Sequence, residues 1–149
     1  MDDIRTLAVM KENVEMTFYE KELNRINGII YSNQEQIQTV IGVRNYIDNN
    51  YEIDLNLDFL SHTRFVSKYH LLRLFKKHYG ITPRQYLIDR RIEKSKEQLK
   101  KGMSVTETCF EVGFESLGSF STLFKTKTGK SPSEYQKEQL SRSELMFES

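Results

Sequence analysis

Cysteine occurs once in the 149 residues, at Cys109, proline twice, and tryptophan not at all. One cysteine excludes an internal disulfide framework and any multi-cysteine zinc cluster, and it suits a reducing, cytoplasmic location. Long apolar runs are also missing. Nothing approaches the roughly 18 residues of a membrane helix, and the opening Met1-Asp2-Asp3 is acidic where a secretory signal would be basic, so neither export nor membrane insertion is expected. What remains is 38% hydrophobic and 29% charged, the mixture of a globular rather than a disordered chain. The length suits one compact domain or two very small ones and leaves no room for a large catalytic fold.

Net charge is nearly absent too, at +1, but its distribution is uneven. Residues 1–36 carry 4 basic and 7 acidic side chains, residues 37–137 carry 17 and 11, and residues 138–149 carry 1 and 3. A basic centre between acidic ends points to an anionic partner for the centre. The last segment is expected to be a flexible acidic tail.

Apolar residues recur at helical spacing and strand-like alternation is nowhere sustained, so an all-α fold is expected. Ser32 to Glu35 reads as a capping box, opening a helix whose buried face is Ile37, Val40, Ile41 and Ile47 and which ends near Asn50. Asn56 and Ser67 can cap the next two helices, the second of which stops at Gly80. Thr82-Pro83 starts a longer helix ending near Gly102, because proline at the first helical position lacks only an N–H that the first turn does not use. Ser104 to Glu107 forms another capping box, Gly113 breaks that short helix, Ser116 to Gly129 brackets the next, and Ser131-Pro132 opens the last.

The chain repeats itself. At an offset of 49, Ser67, Leu74, Phe75, Lys76, Gly80, Pro83 and Tyr86 are identical to Ser116, Leu123, Phe124, Lys125, Gly129, Pro132 and Tyr135; about one such match is expected by chance from average composition. Upstream the offset is 48, so the second copy has one extra residue in its turn. Each copy is a short helix, a tight turn and a second helix, the helix-turn-helix plan in which the second helix enters the major groove of DNA. A joining helix of about 17 residues, or about 25 Å, could hold two reading heads near one duplex turn apart.

These motifs, Ser67 to Lys77 with Gly80-Ile-Thr-Pro83 and Tyr86, then Arg91-Ile92, Gly113 to Ser116, Phe120 to Lys125, Gly129 to Pro132 and Tyr135, closely resemble the AraC/XylS family of bacterial transcription regulators over residues 37–137. The resemblance implies about seven helices forming two helix-turn-helix units (37–82 and 102–137) on a linker helix (83–101); residues 1–36 lie outside it and are expected, from their own charge and apolar spacing, to be an acidic helical extension. It also implies sequence-specific promoter binding and RNA polymerase as a partner. Three positions depart from the family pattern: Thr108-Cys109 stands where the second unit commonly has Ile-Ala, Thr122 where it commonly has arginine, and Phe65 where the first turn can carry glycine.

In the first reading helix Leu71, Leu74 and Phe75 define the buried face, leaving Tyr69, Leu72, Arg73 and Lys76 outward. Arg73 can bond guanine bidentately, Tyr69 and Leu72 can meet thymine methyls or sugar, and Lys68, Lys76 and Lys77 suit phosphates. In the second, Phe120, Leu123 and Phe124 are expected to be buried, with Leu117, Gly118, Ser121, Thr122 and Lys125 available to DNA. Small side chains allow close approach there, but Lys125 alone among them brings charge, so this head should bind more weakly. Arg91 is expected to ion-pair with a neighbouring helix and Cys109 to be a buried structural thiol. His62, His70 and His78 are spaced by eight, which does not stack them on one helical face, and no metal, cofactor or catalytic residue is assigned.

Two other readings compete. A DNA-repair methyltransferase carrying a similar helical module would need a reactive cysteine. A helical interaction module or anti-activator would use the acidic amino-terminal stretch, where Val14, Phe18, Leu23 and Ile26 could form an apolar stripe on a helix ended by Gly28. The same stripe could serve a homodimer.

Overall fold

The computed structural model describes residues 17–148, which form seven α-helices and no strand. They are α1 (Phe18–Asn50), α2 (Leu57–Thr63), α3 (Lys68–Tyr79), α4 (Pro83–Lys100), α5 (Val105–Glu111), α6 (Leu117–Thr128) and α7 (Pro132–Glu148). By internal contacts the chain divides into a unit ending at Thr39 and a unit beginning at Val40.

In the first unit the helix starts earlier than Ser32. Thr17 and Glu20 make the capping box: the Glu20 carboxylate accepts from the Thr17 N–H at 2.9 Å and the Thr17 hydroxyl accepts from the Glu20 N–H at 3.3 Å. Ser32 lies inside α1, and Gly28 does not end it. Glycine in a helix interior costs about 1 kcal/mol relative to alanine, too little to stop α1, which holds no proline. Ile37, expected in the core, is 42% exposed. Val14 lies outside the described residues.

The second unit has two cores. Val40, Val43 and Ile47 of α1 meet Leu55, Leu60, Leu71, Leu74, Phe75 and Leu87 in one; Ile92, Leu99, Cys109, Val112, Phe114, Phe120 and Phe124 form the other. Helix α4 belongs to both, giving Leu87 to the first and Ile92 and Leu99 to the second. The sequence repeat reappears as repeated geometry. Phe75 meets Tyr86 edge-on at 5.7 Å and 70°, and their counterparts Phe124 and Tyr135 meet at 5.4 Å and 71°. The Tyr86 hydroxyl donates to Asp48 at 2.8 Å, and burial together with that bond pushes its pKa up to about 12.

Arg91 differs from expectation. Its guanidinium donates to the carbonyls of Tyr51 (2.6 Å) and Ile53 (2.8 Å) and lies 5.7 Å from the centre of the Phe114 ring. Rather than pairing with a carboxylate, it caps the chain leaving α1 and ties that turn to the second core. Charged donors of this kind are each worth roughly 1.5–3 kcal/mol. Burial lowers the Arg91 pKa, opposed by Asp54, Glu115 and Glu52. Tyr51 packs against both cores. Gln136 of α7 likewise caps α4, donating to the carbonyls of Leu99 (3.1 Å) and Met103 (2.7 Å).

The segment from residue 138, expected as a flexible tail, continues α7 as far as Glu148. After Pro132 it holds no glycine or proline, and its Glu, Gln, Leu and Met residues favour helix; Glu138 also pairs with Lys130.

Candidate nucleic-acid interface

Both second helices of the repeat are set by the same devices. Ser67 caps α3 by accepting from the His70 N–H at 3.2 Å, and Ser116 caps α6 by accepting from the Ser119 N–H at 3.2 Å. Gly80 and Gly129 end them in the left-handed region, at φ 75° and 82°. The preceding helices are capped by Asn56 and Ser104, which accept from Phe59 and Glu107. These caps stand where the sequence places them.

On α3, Leu71, Leu74 and Phe75 are buried, while Lys68, Tyr69, Arg73, Lys76 and Lys77 are exposed. Leu72 is half-buried. Among the described residues no carboxylate lies within 4 Å of Arg73, Lys76 or Lys77, so three cations face water from one short helix. Lys68 is less free: its ammonium sits 3.7 Å from Asp58 and 5.5 Å from the centre of the Tyr69 ring. This sharing between a carboxylate on α2 and a neighbouring ring is not readable from the spacing of one helix.

On α6, Phe120 and Phe124 are buried, and Leu123, expected with them, is half-buried. Leu117, Gly118, Thr122 and Lys125 are exposed; Ser121, expected outward, is half-buried. Gly118 has open space where a Cβ would stand, so the helix backbone itself is accessible there. Lys125 has no carboxylate within 4 Å among the described residues, whereas Lys127 pairs with Asp89 of α4 at 2.8 Å. The two helices thus present the same architecture with different chemistry: α3 is aromatic and cationic, α6 small and hydroxylic.

The turns before them also differ. Phe65 in the first turn has φ 55° and is 98% exposed; its repeat equivalent, Gly113, has φ 99° and packs against the chain leaving α1. The sequence identifies Phe65 as a departure, and alignment of the two copies is the signal that places it opposite a glycine.

Cys109 is wholly buried and burial pushes its thiol pKa up, which withdraws it from nucleophilic chemistry. None of the described helices is long and apolar enough to cross a membrane.

Comparison with known proteins bears on this arrangement directly. The family described as "Helix-turn-helix domain" matches residues 60–138. An uncharacterized HTH-type transcriptional regulator of Pseudoalteromonas carrageenovora is 39% identical over 92 residues, which are 62% of this chain and 55% of that protein. Among solved structures, the C-terminal domain of AraT, a response regulator from Geobacillus stearothermophilus, superposes with a TM-score of 0.64 at 32% identity, covering 66% of this chain and 84% of that one. The DNA-binding domain of AdpA, solved in complex with a target DNA, shares the fold with a TM-score of 0.67 at 23% identity over 69% of this chain and 94% of its own. The chain spans about half the length of the curated relatives it matches. With two helix-turn-helix units on one linker helix and these matches, the chain belongs to the AraC/XylS family of helix-turn-helix transcription regulators.

Proposed function

We propose that the protein is a cytoplasmic, sequence-specific transcription regulator that inserts α3 and α6 into successive major-groove segments of promoter DNA and has no enzymatic activity of its own. The observation that carries this reading is the pair of equivalently capped helices, each with one face in a core and the other in water, built on the two halves of α4. Arg73 then reads guanine, Tyr69 and Leu72 contact thymine methyls or sugar, and Lys68, Lys76 and Lys77 hold phosphates. Leu117, Gly118, Ser121, Thr122 and Lys125 form the weaker head. The buried, unactivated Cys109 speaks against a methyl-accepting repair enzyme. RNA polymerase is the partner through which such a regulator would act.

Titration on a duplex selected from a random library tests the assignment. Affinity should fall steeply with salt, because phosphate contacts release counterions; affinity that stays flat from low to physiological salt would contradict it. Arg73→Ala should cost about 1–3 kcal/mol and relax preference at one base position. Thr122→Ala should cost less, and the reverse order would invert the ranking of the heads.

The exposed residues of the first unit support homodimerisation. Tyr19, Leu23, Ile26, Ile30 and Ile37 are all at least 40% exposed and follow alternating steps of four and three, skipping only Asn33, with Gly28 outside the seam. This is the seam of a coiled coil, in which one polar core residue sets register. Sedimentation should show a dimer for the intact chain and a monomer after Ile26→Asp with Ile30→Asp; an intact chain that sediments as a monomer at micromolar concentration removes the dimer.

A further inference from the structure

We propose that Phe65 is a DNA contact of the first unit, laying its ring on deoxyribose or thymine-methyl surface beside the groove that α3 enters. This rests on the DNA-binding reading above.

Three observations lead to it. The first is a conformational cost that the fold does not require. A bulky L-residue at φ 55° is strained, and glycine or asparagine would make the same turn with less strain. The turn's own hydrogen bonds come from the backbone, with the Arg64 and Val66 N–H groups donating to the Ser61 carbonyl at 3.2 Å and the Phe65 N–H donating to His62 at 3.3 Å. None of these bonds uses the ring.

The second is exposure. At 98%, the ring has no aromatic or cationic partner among the described residues, so nothing within the unit gains from it. In the second turn the situation is opposite: a Cβ on Gly113 would lie 2.7 Å from the Glu52 carbonyl oxygen, so packing enforces glycine there. The first turn is open, and the residue it carries is an aromatic.

The third is charge. Phe65 lies between Arg64 and Lys68, whereas the second turn lies between Glu111 and Glu115. Lys68 is shared with Asp58 and the Arg64 guanidinium folds against Gly42 of α1, so the first turn keeps a modest net positive charge where the second is acidic. Phe65 is also two residues before Ser67, the cap of α3, and thus at the end of that helix whose first residues approach base edges in this motif.

The test compares the full-length wild type with Phe65→Gly, Phe65→Asn and Phe65→Tyr, first by denaturant unfolding and then by titration on the duplex that the wild type selects. Phe65→Gly and Phe65→Asn should unfold at an equal or higher midpoint and yet bind about tenfold more weakly, as for loss of a contact worth one factor of ten. Phe65→Tyr should keep wild-type binding. If Phe65→Gly binds as tightly as wild type, the ring serves another macromolecule or none, and the proposal falls. If it unfolds at a lower midpoint, the ring supports the fold and the proposal falls equally. A wild type that selects no duplex would instead defeat the DNA-binding reading itself, an outcome distinct from either.

Discussion

Lys94→Pro is expected to lower affinity for a two-part site by a hundredfold or more while each half-site remains weakly bound. Lys94 lies in the second half of α4, half-buried, with Glu97 at 3.2 Å as its ion-pair partner, so the side chain itself contributes little. The backbone is another matter. A proline inside a helix removes a hydrogen bond, collides with the preceding turn and costs about 3 kcal/mol or more. The bond lost is the one to the Arg90 carbonyl, so the kink would fall just past Leu87 of the first core, around Ile92, whose packing with Leu99 in the second core it would also disturb. The two heads would lose their register, and with it the factor of about 10² to 10⁴ that tethering supplies when geometry permits simultaneous binding. Lys94→Glu alters charge but leaves α4 helical, so it should weaken binding modestly. Circular dichroism establishes that the proline variant is folded; if it is folded and binds the two-part site like the wild type, the rigid linker has no role.

The second large effect is on stability. Gly113→Ala should destabilise the second unit by about 2–5 kcal/mol, adding the strain of a non-glycine residue at positive φ to an overpacking term. The overpacking is unusually stiff, because the atoms a Cβ would meet are the Glu52 carbonyl oxygen at 2.7 Å and the Tyr51 carbonyl oxygen at 2.9 Å, both backbone. Neither can rotate away as a side chain would. Arg91 holds the Tyr51 and Ile53 carbonyls from the linker helix, so displacing this turn loosens α4 as well. Gly102→Ala provides the comparison: φ is positive there too, at 91°, but the space is open, and only the strain of about 1–2 kcal/mol applies. Denaturant unfolding measures both, and equal losses would show that the contact with residues 51 and 52 is unimportant.

Which features were legible in the sequence follows from how local their causes are. Caps at Asn56, Ser67, Thr82, Ser104, Ser116 and Ser131 involve residues three apart and were readable directly, as were the glycine stops at positions 80 and 129. The all-α architecture follows from periodicity and the two helix-turn-helix units from the internal repeat; the division into two cores, both joined by α4, is visible only in the structure. What was not legible depends on partners distant in sequence. Arg91 bonds to carbonyls about forty residues away, so spacing alone suggested an ion pair. Lys68 and Lys127 lose part of their charge to Asp58 and Asp89 on other helices, and nothing in α3 or α6 announces it. At the two ends of the chain the cause is different. Ser32 and Gly28 are local start and stop signals that α1, with no proline, runs through, and the charge of the last residues points to a loose tail although their Glu, Gln, Leu and Met favour continued helix. Of the expected contact residues, Leu72 and Ser121 are partly covered, because each borders the buried stripe of its helix.

The most direct measurement is a backbone footprint of the intact chain on its selected duplex. Two protected segments on one face of the DNA, with centres about 10 base pairs apart and sharper base preference in the one assigned to α3 by Arg73→Ala, are the expected result. A single protected segment no wider than one groove crossing, unchanged by substitutions in α6, would contradict two heads acting through one linker.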